Sequence, residues 1–321
     1  MNLKQEVFVE IYNSVESDNI LLGTSELRVD FDIRMIPNFN VAKVTIYNLN
    51  NDNITMLAGG DKYLTLKVRS YGGEKVTLMN KFRINNMVDE LVMPNRITSL
   101  FCQSWERVAL LEKPIDETTV YLPSLKNCVE NLKAVAEFKG KIDYISFPAG
   151  KETKQDLRVV RTFSGNFIDA LKELGSEFDF NFYVINGDLK LMHKPDLRSV
   201  GLTDLNSRET VVFKTDAMRS NPKVGIASAV IDSILDPNIN PTTVIDLSNL
   251  ITVGVDENDL RLQVTPDNYL KSFSSYTRYQ AFTTQHRGSN YTSDWNTVIN
   301  AISPTDGKLS PTVAWAQINK D

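Results

Sequence analysis

Leu27, Val29, Phe31, Ile33 and Met35 alternate with Arg28, Asp30, Asp32 and Arg34, and this run constrains the chain more than any other. A period of two is what a strand needs when one sheet face is buried and the other is wet. Pro37-Asn38-Phe39-Asn40 follows and is a turn by composition. Residues 41–49 then form a second strand ending in Tyr47-Asn48-Leu49. The Asn/Asp cluster after it, 50–53, is suited to capping a short helix over 54–58, which Gly59-Gly60 stops.

The same grammar runs from Glu6 to about Ser104. Val7, Val9 and Ile11 alternate with Phe8, Glu10 and Tyr12, and Leu64, Leu66 and Val68 with Thr65, Lys67 and Arg69. Gly72-Gly73 reads as a hairpin tip, and residues 81–92 and 96–104 as a pair split at Met93-Pro94-Asn95. About seven short strands predict closure into a small barrel or sandwich over 1–108, because open edges would template aggregation.

The pattern changes after Arg107. Leu125, Cys128, Val129, Leu132, Val135 and Ala136 recur at helical spacing, predicting an amphipathic helix over 124–139 with Ser124 as N-cap and Gly140 near its end. A second helix follows Phe163-Ser-Gly-Asn166 and buries Phe167, Ala170, Leu171 and Leu174. It leads into strands 178–185 and 188–192 around Asn186-Gly187, the strongest short hairpin signal a sequence offers. Residues 109–205 are thus expected to form an α+β middle domain. Strands return at 209–214, 223–235, 242–247 and 269–284, predicting a second small β-barrel over 206–285. Residues 286–321 are expected to supply a strand end, a short helix and an extended arm from about 300. The fold class is therefore mainly β (α+β): two antiparallel barrels with a helix-plus-hairpin domain between them.

Composition narrows the function. The net charge is −5 and no block of Lys/Arg occurs, which argues against a protein that grips DNA through its phosphates. No stretch approaches the roughly 18 uninterrupted apolar residues of a membrane span. Glu6 and Glu10 interrupt the first ten residues, so no signal-peptide core is read there and the chain is expected to be made and kept in a cytoplasm. The two cysteines, Cys102 on a strand and Cys128 on a helix, lack pairing or metal spacing and read as reduced, buried small hydrophobes.

Enzyme signals are thin. The chain has no HExxH, no GxSxG and no phosphate-binding glycine loop. His193 precedes Lys194-Pro195 and reads as a structural histidine, satisfied or exposed; His286, beside Gly288, reads as satisfying a turn or meeting a neighbouring subunit. Asp30 and Asp32 share a strand face, as a glycosidase pair would, but flanking Arg28 and Arg34 make them a solvated, charge-alternating face. Trp105, Trp295 and Trp315 read as core or interface anchors. No catalytic, cofactor-binding or metal residue is assigned, and no cofactor is expected.

The order of these blocks resembles the baseplate and tail-hub proteins of tailed phages and related contractile injection systems. The similarity lies in the strand pair ending Ile46-Tyr47-Asn48-Leu49 before a capped helix, and in the helix-then-hairpin block 163–192. It extends to Ile234-Leu-Asp-Pro-Asn-Ile-Asn-Pro-Thr242, where Thr242 replaces the family's glycine, and to His286-Arg-Gly288 followed by Asp294-Trp295. The resemblance implies a structural virion protein, assembled in the host cytoplasm. Its expected form is a homotrimeric ring of six tube-like barrels joining the hexameric tail tube to the trimeric spike. Strands 27–36, 41–49 and 223–235 would line the inner wall or inter-barrel seam, and helix 124–139 would face wedge or sheath components. DNA would pass through the lumen without specific binding, and no membrane insertion is implied. The rival readings are a glycan-binding β-module and a tail-associated cell-wall hydrolase.

Overall fold

The structure is a computed structural model that describes residues 5–69, 73–115, 118–121, 124–145, 147, 160–185, 187–193, 210–224, 228–250, 254–255, 278–292 and 295–302. It is mainly β, with four α-helices among the described residues. The N-terminal strands are β1 (Glu6–Tyr12), β2 (Leu22–Thr24), β3 (Val29–Ile36), β4 (Phe39–Tyr47), β5 (Tyr63–Arg69), β6 (Val76–Val92) and β7 (Asn95–Ser104). Helix α1 (Asn51–Ala58) follows β4, and its N-cap Asn50 accepts from the Asn53 N–H as the Asn/Asp cluster predicts.

Inner-face side chains of this half are buried: Val7, Val9 and Ile11 on β1, Val29, Phe31 and Ile33 on β3, Leu64 and Leu66 on β5, and Leu100 on β7. They belong to one core to which α1 contributes Leu57. One short helix cannot cover that many strands, so most of this core is built from side chains of the sheet itself.

The middle unit contains α2 (Trp105–Glu112), β8 (Thr118–Tyr121), α3 (Leu125–Val135), β9 (Ile142–Ile145), β10 (Val160–Phe163), α4 (Phe167–Glu177), β11 (Phe180–Ile185) and β12 (Asp188–His193). Its helices pack Leu125, Cys128, Val129, Leu132, Phe167, Leu171 and Leu174 against the sheet β11-β12-β9. Ser124 is the N-cap expected and accepts from Asn127 N–H, and Asn166 caps the second helix by accepting from Asp169 N–H. Helix α3 stops at Val135, short of 139, because Glu137 takes a left-handed φ of 51° and the amides of Ala136, Glu137 and Phe138 turn back onto the last carbonyls. Gly140 has another role: a Cβ there would stand 2.0 Å from the Gly187 carbonyl oxygen, so only glycine lets the chain pass the hairpin turn.

The C-terminal strands are β13 (Thr210–Val212), β14 (Lys223–Val224), β15 (Ser228–Ile234), β16 (Val244–Asp246), β17 (Gly254–Val255), β18 (Arg278–Ser289) and β19 (Asn296–Ile302). The single strand expected over 223–235 is two, since β14 and β15 pair antiparallel with each other. Gly225 and Ala227, poor strand formers, mark the break in the sequence. Residues 296–302 are strand β19, where a short helix is expected; there Val298 and Asn300 alternate with the buried Thr297, Ile299 and Ala301, a period of two. The tip residue Gly72, the first part of strand 269–284, Trp315 and the arm beyond 302 lie outside the described residues.

The two halves do not stand apart. β18 pairs along one edge with β16 and β3 and along the other with β19, so the ladder continues from the first half into the second. The result is one 14-stranded sheet. Among the described residues its end strands β2 and β17 are not paired with each other, and the two closed barrels expected from sequence appear instead as two parts of one sheet.

The β3–β4 turn plugs into the middle unit. Asn38 has φ 64°, its N–H donates to Phe182 O, its side chain accepts from Phe182 N–H, and its carbonyl accepts from Arg107. Asn40 adds a bond to Val184 O at 2.6 Å. Asn38→Ala combines a left-handed alanine, costing about 1–2 kcal/mol, with a lost hydrogen bond worth about 1 kcal/mol. Asn38→Gly loses the bond alone. Urea denaturation should therefore rank wild type above Asn38→Gly above Asn38→Ala.

Candidate interaction face

Where β3 meets β18, the outer sheet face carries an array of interlinked polar side chains. The register aligns it in rungs. Ile234, Asn296, Arg287, Asp32, Lys43 and Phe101 form one rung from β15 to β7, and Ser289, Asp30, Thr45 and Ser99 form part of the next. The face therefore crosses from one half to the other without a break.

Its charges are mutually held. Asp30 accepts from Arg28 at 3.1 Å, from the Tyr47 hydroxyl at 2.8 Å and from Ser289 at 2.5 Å. Asp32 accepts from Arg34 at 2.9 Å and from Gln285 at 2.6 Å, with Arg287 at 3.7 Å. Partial burial pushes both carboxyls up, but these donors outweigh it and hold both below the ordinary carboxylate range. The Arg28 guanidinium lies 4.2 Å from the Tyr47 ring centroid and 5.1 Å from that of Tyr291. The predicted charge-alternating face is present, and half of its partners come from β18, some 250 residues away.

Beneath this face the seam is packed. Gly288 sits opposite Phe31, and a Cβ there would meet the Phe31 ring at 2.5 Å and Trp295 at 3.1 Å. Trp295 stacks edge-on to Phe31 at 6.1 Å and donates its indole N–H to Ser289 O. His286 is buried mid-strand, with Nδ1 3.0 Å from Thr297 Oγ1. The Asn290 side chain accepts from Val29 N–H and donates to Leu27 O, extending the β3 ladder past the end of β18. His-x-Gly and Trp295 therefore serve the seam, and His286 lies in the strand interior rather than at a strand end.

His193 is also buried, at the end of β12, with its ring 5.3 Å from Phe147. Cys102 and Cys128 are free and buried, and burial raises the Cys102 thiol far above its ordinary value. Trp105 opens α2 and meets Tyr63 edge-on. Among the described residues no group of three or more His, Cys, Asp or Glu is placed to hold a metal, and no helix is long and apolar enough to cross a membrane. Sequence reading missed Gln285, Arg287, Ser289 and Asn290, because β18 alternates polar with polar and shows no amphipathic period.

Gly288→Ala should cost about 1–3 kcal/mol, since the new methyl overpacks a filled contact; chemical denaturation measures it. Burial depresses the His286 imidazole to about 4. The unfolded chain takes up that proton below about pH 6.5 while the fold refuses it until about 4, so stability should fall by up to about 3 kcal/mol as pH drops through this window. Asp30 and Asp32, held low, lose their contribution only below about pH 4. His286→Gln should abolish the loss between pH 6.5 and 4, read from urea midpoints at pH 7, 5.5 and 4.

No protein-family model and no curated protein matches this sequence. Solved structures do match its fold. The 43 kDa tail protein of prophage MuSo2 from Shewanella oneidensis superposes with TM-score 0.55 at 7% identity, covering 94% of this chain and 98% of that one. A tail protein from Neisseria meningitidis gives 0.53 at 10% identity over 96% and 98%. The E. coli c3393 protein, a component of the type VI secretion system, gives 0.50 at 9% identity over 92% and 76%. The chain has the fold of phage tail proteins and of a related secretion-system component, in agreement with the family its sequence resembles.

Proposed function

We propose that this chain is a structural baseplate or tail-hub protein of a virion. Three copies form a ring in which each contributes two tube-like units, residues 1–108 and 206–285, joined through the pairing of β18 with β3. Six similar units would then meet the hexameric tail tube on one side and the trimeric spike on the other. The middle unit, 109–205, faces wedge or sheath components. A ring of this kind requires heterologous contacts that close.

The observation that carries the reading is the polar face running unbroken through the β3–β18 seam. A face shared by both halves is the natural lining of a common channel. Its two carboxylates are held by Arg28, Arg34 and Arg287, so it offers DNA no unpaired acidic wall. The role needs no catalysis, and Asp30 and Asp32 are engaged with cations where a hydrolase would need them free for acid and base work.

Light scattering on a sizing column should give a mass about three times the 36.2 kDa of one chain. A strict monomer at all concentrations and salts, or turnover of peptidoglycan by the purified chain, would overturn the reading.

A further inference from the structure

The sheet β11-β12-β9 packs its helices on one face and turns the other toward the C-terminal strands, where Tyr183, Met192 and Ile145 meet Phe282 of β18. The Tyr183 hydroxyl donates to Phe282 O at 2.9 Å and pins the middle unit there. Ile145 continues from this contact into a cleft of about 570 Å³, a size within the range of about 300–1,000 Å³ that small-molecule sites occupy. Asp143 and Ile145 of β9, Lys190 of β12 and Val211 of β13 line it, and the turn 238–243 adds Asn240 and Thr243.

The polar groups of this cleft are not satisfied by one another. Asp143 and Lys190 are register partners on one sheet face, yet among the described residues neither makes an ion pair or hydrogen bond. Opposite charges set directly across a ladder ordinarily engage each other. The Asn240 amide is oriented by its own turn: Nδ2 donates to Asn238 O at 3.2 Å, which leaves Oδ1 buried and without a partner. An acceptor in that state is costly unless a donor reaches it. Thr243 Oγ1 accepts from Asn240 N–H at 3.1 Å and keeps its own proton to give. The turn is fixed in place, since Thr242 N–H donates to Ala281 O and Ala281 N–H donates to Thr243 O, both at 2.8 Å. Thr242 is held at φ 83°, a left-handed position that a β-branched residue takes only when its surroundings force it.

These groups select a class of ligand. One ammonium beside a carboxylate is a poor seat for phosphate or sulfate. Among the described residues no group of three or more His, Cys, Asp or Glu is placed to hold a metal. An extended peptide is read mainly through backbone bonds in a line along a strand, whereas the free groups here are side chains gathered around one cavity. A pyranose ring carries hydroxyls that both donate and accept, and aliphatic C–H faces that suit Ile145 and Val211. We infer that the cleft is a carbohydrate site, in which Asp143 and Asn240 Oδ1 accept from sugar hydroxyls and Lys190 and Thr243 donate to them. This site does not depend on the ring.

The test is saturation-transfer NMR and titration calorimetry on the full chain. Free-sugar probes are methyl α-D-glucopyranoside, N-acetylglucosamine and L-rhamnose; maltotriose and chitotriose are the chain probes, and tetra-alanine is the peptide rival. Asp143→Asn and Lys190→Gln remove charges that have no partner to lose, and circular dichroism verifies that both variants stay folded. A sugar bound with Kd of about 1 mM or tighter, and weakened about fivefold or more by either substitution, supports the inference. Tighter binding of a trisaccharide than of its monosaccharide identifies a glycan chain as the source, and equal binding identifies a free sugar. The inference is overturned if no sugar binds at about 10 mM, if both variants bind as wild type does, or if tetra-alanine binds the cleft in place of sugars. The hub reading is tested separately by the mass of the chain, so either can fail alone.

Discussion

Six residues of β18, Thr284 to Ser289, hydrogen-bonded to Asp30 through Met35 of β3, hold the two halves of this protein as one object. Everything on either face of the seam depends on that register. Slipping it by one residue would turn His286 and Gly288 outward and press Arg287 and Gln285 into the core, because the side-chain period is two. Gly288 under Phe31, Trp295 beside it and the Asn290 side chain at the end of the ladder all favour the observed alignment. The contact closes a loop of some 250 residues, so it forms only when both halves can already present their strands.

The charges above the seam have a different job from the packing below it. Ion pairs on a half-exposed face stabilise weakly, typically by about 0–1 kcal/mol each. Their value lies in arrangement: each carboxylate has an arginine two residues away in sequence and a donor from β18, so the face is polar and cross-linked between halves. Its order also comes from the backbone beneath it, since the rungs follow the ladder.

Much of the local structure was legible in the chain. Residues 27–36 showed their strand through strict alternation, the Asn/Asp cluster at 50–53 and Ser124 announced helix starts through capping chemistry, and Asn186-Gly187 marked its hairpin. What stayed hidden was long-range pairing. Nothing in Leu27 to Met35 says that its free edge will be taken by residues near 287, and β18 conceals its own period because both of its faces are polar or small. The break between β14 and β15 was masked by a run of apolar residues with no turn signature beyond Gly225. Asn38 was visible as a turn residue, but its three backbone-directed contacts to the middle unit were not, since they depend on where a distant strand edge arrives.

On the proposed reading, one sheet with a polar face shared by both halves and a middle unit fixed to one end would be a building block for a ring with a wet lumen. Electron microscopy of the purified chain tests this most directly. The account predicts end-on class averages of a ring with six similar lobes around a central opening, in which the polar face turns inward. Compact particles without an opening, or rings whose lumen is lined by the middle unit, would contradict it.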